Sequence, residues 1–170
     1  MSQSSTQFDV CIRGAGIVGR SLSLMLASQG LRVALVNLSD AQKSAHGHSD
    51  VRAYSMNSAS QQLLTDLRCW PEGTACTPIL KMHIEGDQDG NLEFNAAQQN
   101  VEALNWMIDV PTLEKNLAKA IGFQPLIQEV AENVRAPLTV ICEGRASQTR
   151  AELGVAFDVK HYEQHALASR

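Results

Sequence analysis

The period of the apolar positions changes along the chain, and each change marks an element. FDVCIR, residues 8–13, is a short, nearly continuous apolar run, the pattern of a parallel strand buried on both faces. GAGIVG follows, then RSLSLMLASQG, which sets Val18, Leu22, Met25 and Leu26 on one helical face. Gly30 stands where a glycine commonly ends a helix. LRVALVN, residues 31–37, is a second apolar strand. Strand, helix and strand fill about thirty residues, the size of a βαβ crossover.

Residues 39–52 are polar and read as a loop. MNSASQQLLTDLRCWP, residues 56–71, reads as a helix with Ala59, Leu63, Leu67 and Trp70 along one stripe, stopped by Pro71. ILKMHIE and NLEFN alternate apolar and polar positions around GDQDG, the signature of an antiparallel hairpin with one wet face. ALNWMIDV is a third strand that could extend it. Pro111 opens a helix with Leu113, Leu117 and Ile121 on its inner face. PLTVICE is another apolar strand, broken at Gly144 into a short basic helix, and GVAFDVKHYEQHALASR reads as two closing strands. The pattern predicts an α/β fold: a Rossmann-like βαβ core interrupted by an antiparallel β insertion.

Composition narrows the partners. With 14 Lys and Arg against 18 Asp and Glu, the net charge is −4. Phosphate backbones select clustered cations, so nucleic acid is not an expected partner. No apolar stretch approaches the roughly 20 residues that span a bilayer. MSQSSTQ lacks the basic-then-apolar layout of a signal peptide and reads as a disordered lead over residues 1–7. Four cysteines at 11, 69, 76 and 142 include no CxxC, which suits a reduced, cytoplasmic chain. His46 and His48 have no further ligand at metal-site spacing and read as loop residues.

GAGIVG places Gly14, Gly16 and Gly19 in G-x-G-x-x-G spacing, with Ala15, Ile17 and Val18 between them. Gly14 permits a tight turn out of the strand. Gly16 lets main chain approach a pyrophosphate, and Gly19 lets the helix pack closely on the sheet. The amides at the helix start, with the helix dipole behind them, attract phosphate. The alternative is a turn that packs helix on sheet without a ligand; the order strand, turn, helix, strand favours the ligand. A carboxylate at the end of the second strand would grip a ribose hydroxyl, and Asn37 stands there. Its amide oxygen accepts a hydrogen bond without the assistance of charge. Asp40 or a backbone carbonyl is the alternative acceptor.

GAGIVG, DVRAYSMNSASQQLL, ALNWMIDVPTLEKNL, CEGRASQTR and YEQHALAS occur in that order. In this the chain resembles the FAD-dependent aromatic monooxygenases, in the branch of the ubiquinone-biosynthesis hydroxylases. The resemblance implies that the first glycine turn holds the ADP half of FAD and that Arg52 lies near the flavin. It also implies that Glu143, Gly144, Ser147 and Arg150 support binding of FAD and of a nicotinamide cofactor, with Glu143 in place of the usual Asp. Without it, Arg52 reads as a loop arginine, Arg145 and Arg150 as a solvated face, Trp70 and Trp106 as core aromatics, and His165 as a sheet position.

The implied activity is hydroxylation of a small aromatic substrate, a quinone precursor, with NADH or NADPH and O2. Family members are much longer and carry a Gly–Asp signature not found here. The expectation is therefore a truncated, N-terminal and inactive part of such an enzyme. Its FAD-binding domain would be residues 8–78 and 109–154, and its partial substrate-domain strands 79–108 and 155–170. The longer parent could contact a membrane peripherally, and the fragment should self-associate through uncovered apolar edges. Competing expectations are another FAD oxidoreductase of the same superfamily, or a non-catalytic binding protein on the same fold.

Overall fold

The computed structural model describes residues 7–37, 52–145 and 147–165. The predicted lead, apart from Gln7, and the predicted loop with Asp40, His46 and His48, apart from Arg52, lie outside the described residues. The chain divides into two compact units, Met1–Gly47 with Pro125–Arg170, and His48–Gln124.

The first unit is built on a four-stranded parallel sheet. Its strands are β1 (Val10–Arg13), β2 (Val33–Val36), β8 (Ile127–Val130) and β9 (Leu138–Ile141), in the order β8-β2-β1-β9. Val10 pairs with Val33 on one side and Leu138 on the other, so β1 is central. Cys11, Ile12 and all four residues of β2 are fully buried, as the continuous apolar runs predict. Asp9 takes both the main-chain and guanidinium N–H groups of Arg32, at 2.8 Å to the amide and 2.8 Å to Nη2. That fixes the register where β1 and β2 begin.

Helix α1 (Ile17–Ser28) packs against β1, β2 and β8, but only in part through the predicted stripe, of which Leu22 and Leu26 are half-buried. Val18 is 69% exposed and Met25 40% exposed, whereas Gly19, Ser21, Ser23, Leu24 and Ala27 are buried. Small residues at 19, 23 and 27 recur every fourth position and let the helix sit close to the sheet. The buried Ser23 hydroxyl is satisfied by the Gly19 carbonyl at 2.7 Å. Strand β8 was not expected. Gln128 and Glu129 are exposed on this edge strand, so its sequence lacks the apolar run of its neighbours.

After β9 comes the short helix α4 (Gln148–Glu152). The two closing strands expected from the alternating pattern are not formed through His165. Residues 154–165 make no ladder, and Val155, Phe157, Val159 and Tyr162 are exposed. Alternation specifies a strand only where a neighbouring strand pairs with it. The Arg150 guanidinium instead lies 3.9 Å above the Phe157 ring.

The second unit holds two antiparallel sheets. One has the order β3-β7-β4, from β3 (Ala53–Met56), β7 (Asn105–Asp109) and β4 (Cys76–Ile79). The other is the predicted hairpin of β5 (Lys81–Glu85) and β6 (Asn91–Asn95). Residues 105–109 do not extend that hairpin: they pair with β3 and β4, in register Tyr54–Ile108 and Cys76–Ile108. Ile108 is thereby fully buried at the centre of its sheet.

Helix α2 (Ser58–Asp66) starts later than predicted, because Met56 belongs to β3 and Asn57 caps the helix by accepting from the Ser60 amide at 2.9 Å. Its buried residue is Leu64, with Ala59 exposed and Leu63 and Leu67 half-buried. Trp70 lies beyond the helix and meets Trp106 edge-to-face at 6.1 Å. Helix α3 (Val110–Gly122) follows expectation: Asp109 caps it, Pro111 sits in its first turn, and Leu113, Leu117 and Ile121 are buried.

Candidate functional site: two glycine turns at one end of the parallel sheet

Strand β1 ends at Arg13, and Gly14 turns the chain with φ +110°, a conformation that only glycine adopts without strain. Its N–H donates to the Val36 carbonyl at 3.1 Å. A Cβ on Gly14 would overlap the Cys142 carbonyl and come within 2.9 Å of the Glu143 nitrogen. A Cβ on Gly19 would overlap the Gly14 carbonyl oxygen. Gly16 differs from both, since nothing lies within 4 Å of the place a Cβ would take.

Helix α1 begins just after Gly16 with no side-chain cap and no acidic residue in its first turn. The first N–H groups of a helix have no intrahelical partner, and the dipole adds positive potential there. Ala15 and Ile17 are half-buried and Val18 is exposed beside this opening. Gly14 and Gly19 thus close the turn against main chain, while Gly16 leaves it open above uncapped amides. The residues present fit a diphosphate.

The second turn begins where the Cys142 N–H donates to the Arg13 carbonyl at 2.7 Å. Gly144 turns the chain with φ +77° and is exposed. Glu143 is half-buried and its carboxylate faces the chain that follows. Oε2 accepts from Ser147 Oγ at 2.6 Å and from the Thr149 amide at 3.1 Å, and Oε1 accepts from Thr149 Oγ1 at 2.5 Å. Burial alone would raise the Glu143 pKa; the bonds from Ser147 and Thr149 and the charge of Arg13 outweigh it and hold the carboxyl below its ordinary value. Ser147 caps α4 through the Arg150 amide at 3.1 Å. The Arg150 side chain reaches the Arg145 carbonyl at 3.0 Å. An open cleft of about 270 Å³ lies between Ile141, Gly144, Arg150 and Val155.

The structure therefore brings Gly14, Gly16, Gly19, Glu143 and Gly144 together at one end of the sheet. Asn37 is half-buried after β2, and its N–H donates to the Val130 carbonyl at 3.0 Å. Arg52 belongs to the second unit, where its guanidinium lies 3.5 Å from the Glu114 carboxylate. His165 is exposed and outside any strand. Arg13 and Thr149, which no glycine motif marks, join the Glu143 network: Arg13 Nη1 donates to Thr149 Oγ1 at 3.1 Å. The available signal was a charged residue ending an otherwise apolar strand.

The architecture recurs in proteins of known structure. PqsL of Pseudomonas aeruginosa, a probable FAD-dependent monooxygenase, superposes with a TM-score of 0.64 at 16% identity, over 91% of this chain and 48% of that one. The flavin-dependent monooxygenase PieE, solved with FAD and substrate, gives 0.60 at 16% identity, over 89% and 32%. Over this stretch the fold is that of the FAD-dependent monooxygenases. Sequence similarity, independent of the coordinates, is to two hydroxylases. The 3-demethoxyubiquinol 3-hydroxylase of Escherichia coli (strain K12) is 25% identical, over 94% of this chain and 47% of that protein. Ubiquinone hydroxylase UbiL of Rhodospirillum rubrum is 26% identical, over 94% and 42%. The chain spans less than half the length of these relatives. No family model matches it.

Proposed function

We propose that this chain forms the FAD-binding portion of a flavin-dependent monooxygenase that hydroxylates an aromatic quinone precursor with NADH or NADPH and O2. The observation that carries the reading is the main-chain contact between Gly14 and Cys142 beside the open position at Gly16. It makes one continuous main-chain surface of two turns more than 120 residues apart, which suits an extended dinucleotide. The sequence likeness to two ubiquinone hydroxylases supports the substrate class.

In this reading Gly14, Ala15, Gly16, Ile17, Val18 and Gly19 take the diphosphate, and Asn37 accepts from the adenosine ribose. Glu143 orders the second turn so that Gly144 can present its backbone. Arg52 serves the flavin side. FAD supplies the redox chemistry; the chain's residues bind and orient it. Residues 79–108 and 155–170 are assigned to the substrate side, supported by exposed Leu80, Ile84, Leu92, Phe94, Val155 and Phe157. The same side chains support self-association and a peripheral membrane contact of a longer protein. No helix among the described residues is long and apolar enough to cross a membrane. A cytoplasmic setting is part of the same reading, in keeping with the unpaired cysteines. Hydroxylation is assigned to a protein of the relatives' length, and the 170-residue chain alone is expected to bind without turnover.

The test is titration of the chain with FAD, followed by flavin fluorescence, with ADP as competitor. Saturable quenching that ADP reverses is the expected result. Absence of binding by both FAD and ADP overturns the proposal.

A further inference from the structure

A side-chain path links the two turns, and neither glycine pattern contains it. Arg13 is the last residue of β1, directly before Gly14. Its Nη1 donates to Thr149 Oγ1 at 3.1 Å, and that hydroxyl donates to Glu143 Oε1 at 2.5 Å. Arg13 Nε is buried and meets no acceptor among the described residues. A guanidinium withdrawn from water needs a counter-charge nearby, and the Arg13 charge acts on Glu143.

The other side-chain bonds of the second turn are local, joining residues 143 to 150 to one another. Past the Cys142 amide, its main chain reaches Gly144 with φ +77° and then a helix of five residues. A helix that short has no stability of its own. The bond from Arg13 to Thr149 spans 136 positions and ties α4 to the central strand.

We propose that Arg13 is a positioning residue, which through the Thr149 hydroxyl locks the Glu143–Gly144 turn against the Gly14 turn. The role in ligand binding rests on the FAD-binding reading above. The path predicts that Arg13 and Thr149 act as one unit, so that removing either loosens the same segment.

The test uses the full chain with Arg13→Leu, Thr149→Val, the double variant and Thr149→Ser. Amide exchange across residues 143–150 is followed by mass spectrometry beside the global melting curve. Each single variant should exchange about tenfold faster there, as for loss of one charge-assisted bond. The double variant should be no faster than the singles, and Thr149→Ser should restore protection. Unchanged exchange, or additive effects, overturns the lock. Should Arg13→Leu fail to fold, the isosteric Thr149→Val with its Ser control decides alone. FAD titration of the same proteins should show a dissociation constant raised about tenfold in either single variant. Unchanged affinity, with binding by the unaltered chain intact, overturns the positioning role. Failure of the unaltered chain to bind FAD removes the functional reading, while the exchange data still decide the lock.

Discussion

Gly19 lies so close to Gly14 that a methyl group at 19 would overlap the Gly14 carbonyl oxygen. The first turn of α1 is therefore seated on the main chain that leaves β1. Position 16, three residues earlier, has open space above it. Two glycines of one motif thus meet different surroundings: main chain at 19, and open space at 16, where the proposed ligand would approach.

Gly19→Ala should destabilise the chain by about 1–3 kcal/mol, because the clash is with main chain that no rotamer change relieves. The intrinsic helix preference for alanine offsets only part of it. Gly16→Ala should change stability by no more than about 1 kcal/mol, yet raise the FAD dissociation constant at least tenfold by filling the approach path. Urea unfolding and flavin titration separate the two effects. Equal stability losses at both positions would contradict the assignment.

Asp9 makes stability depend on acid. Its hydrogen bonds from the Arg32 side chain and amide, with the guanidinium charge, hold the carboxyl at about 2 against an ordinary 3.8. A carboxyl lowered in the folded state stabilises fully above its unfolded value and loses that contribution as pH falls through the folded one. Asp9→Asn should therefore flatten the stability profile between about pH 4 and pH 2, as read from melting temperatures at several pH values. The pair is solvent-exposed, so high salt should shrink the difference.

Glu143→Ala should fray α4 and cost about 1 kcal/mol, the usual effect of losing a cap. Thr149 and Ser147 would lose their shared acceptor. The Glu143 pKa is also lowered, so the ordering it gives is present at neutral pH and is lost as acid protonates the carboxylate. Amide exchange of residues 147–152 at neutral and acidic pH checks both statements. Insensitivity to the substitution would remove Glu143 as the organiser of this turn.

Trp106→Ala should cost about 3–5 kcal/mol, since Trp106 is 6% exposed and fills the second unit's core. Trp70→Ala should cost less, because Trp70 is only half-buried. Either change should abolish the near-ultraviolet circular dichroism produced by their edge-to-face pair. Retention of that signal in both variants would rule out the pairing.

The elements legible from sequence were those whose own residues supply the deciding physics. β1, up to Arg13, and β2 are apolar because both faces are covered, and Pro111 announces the start of α3. Helix α1 was legible as a helix but not in its packing. The large residues Val18 and Met25 are exposed, and the buried residues are Leu24 with the small Gly19, Ser21, Ser23 and Ala27, which carry little hydrophobic signal. β8 was missed because an edge strand needs few apolar residues. Residues 154–165 were misread because pairing depends on a neighbour that no local pattern records. The glycine positions of the site were legible for the same reason as β1, since backbone geometry demands them. Arg13 and Thr149 were not, because their relation exists only once β1 and α4 meet.

The strand order β8-β2-β1-β9 carries a cost in time. Ninety residues, among them the whole second unit, separate the end of β2 at Val36 from β8 at Ile127. As a ribosome extends the chain, β1 and β2 emerge long before either outer neighbour exists, with both flanks of the pair ready to bond to a stranger. The nascent protein must tolerate or shield that half-made sheet until translation has passed residue 141, and premature termination between those points would release it in its stickiest form.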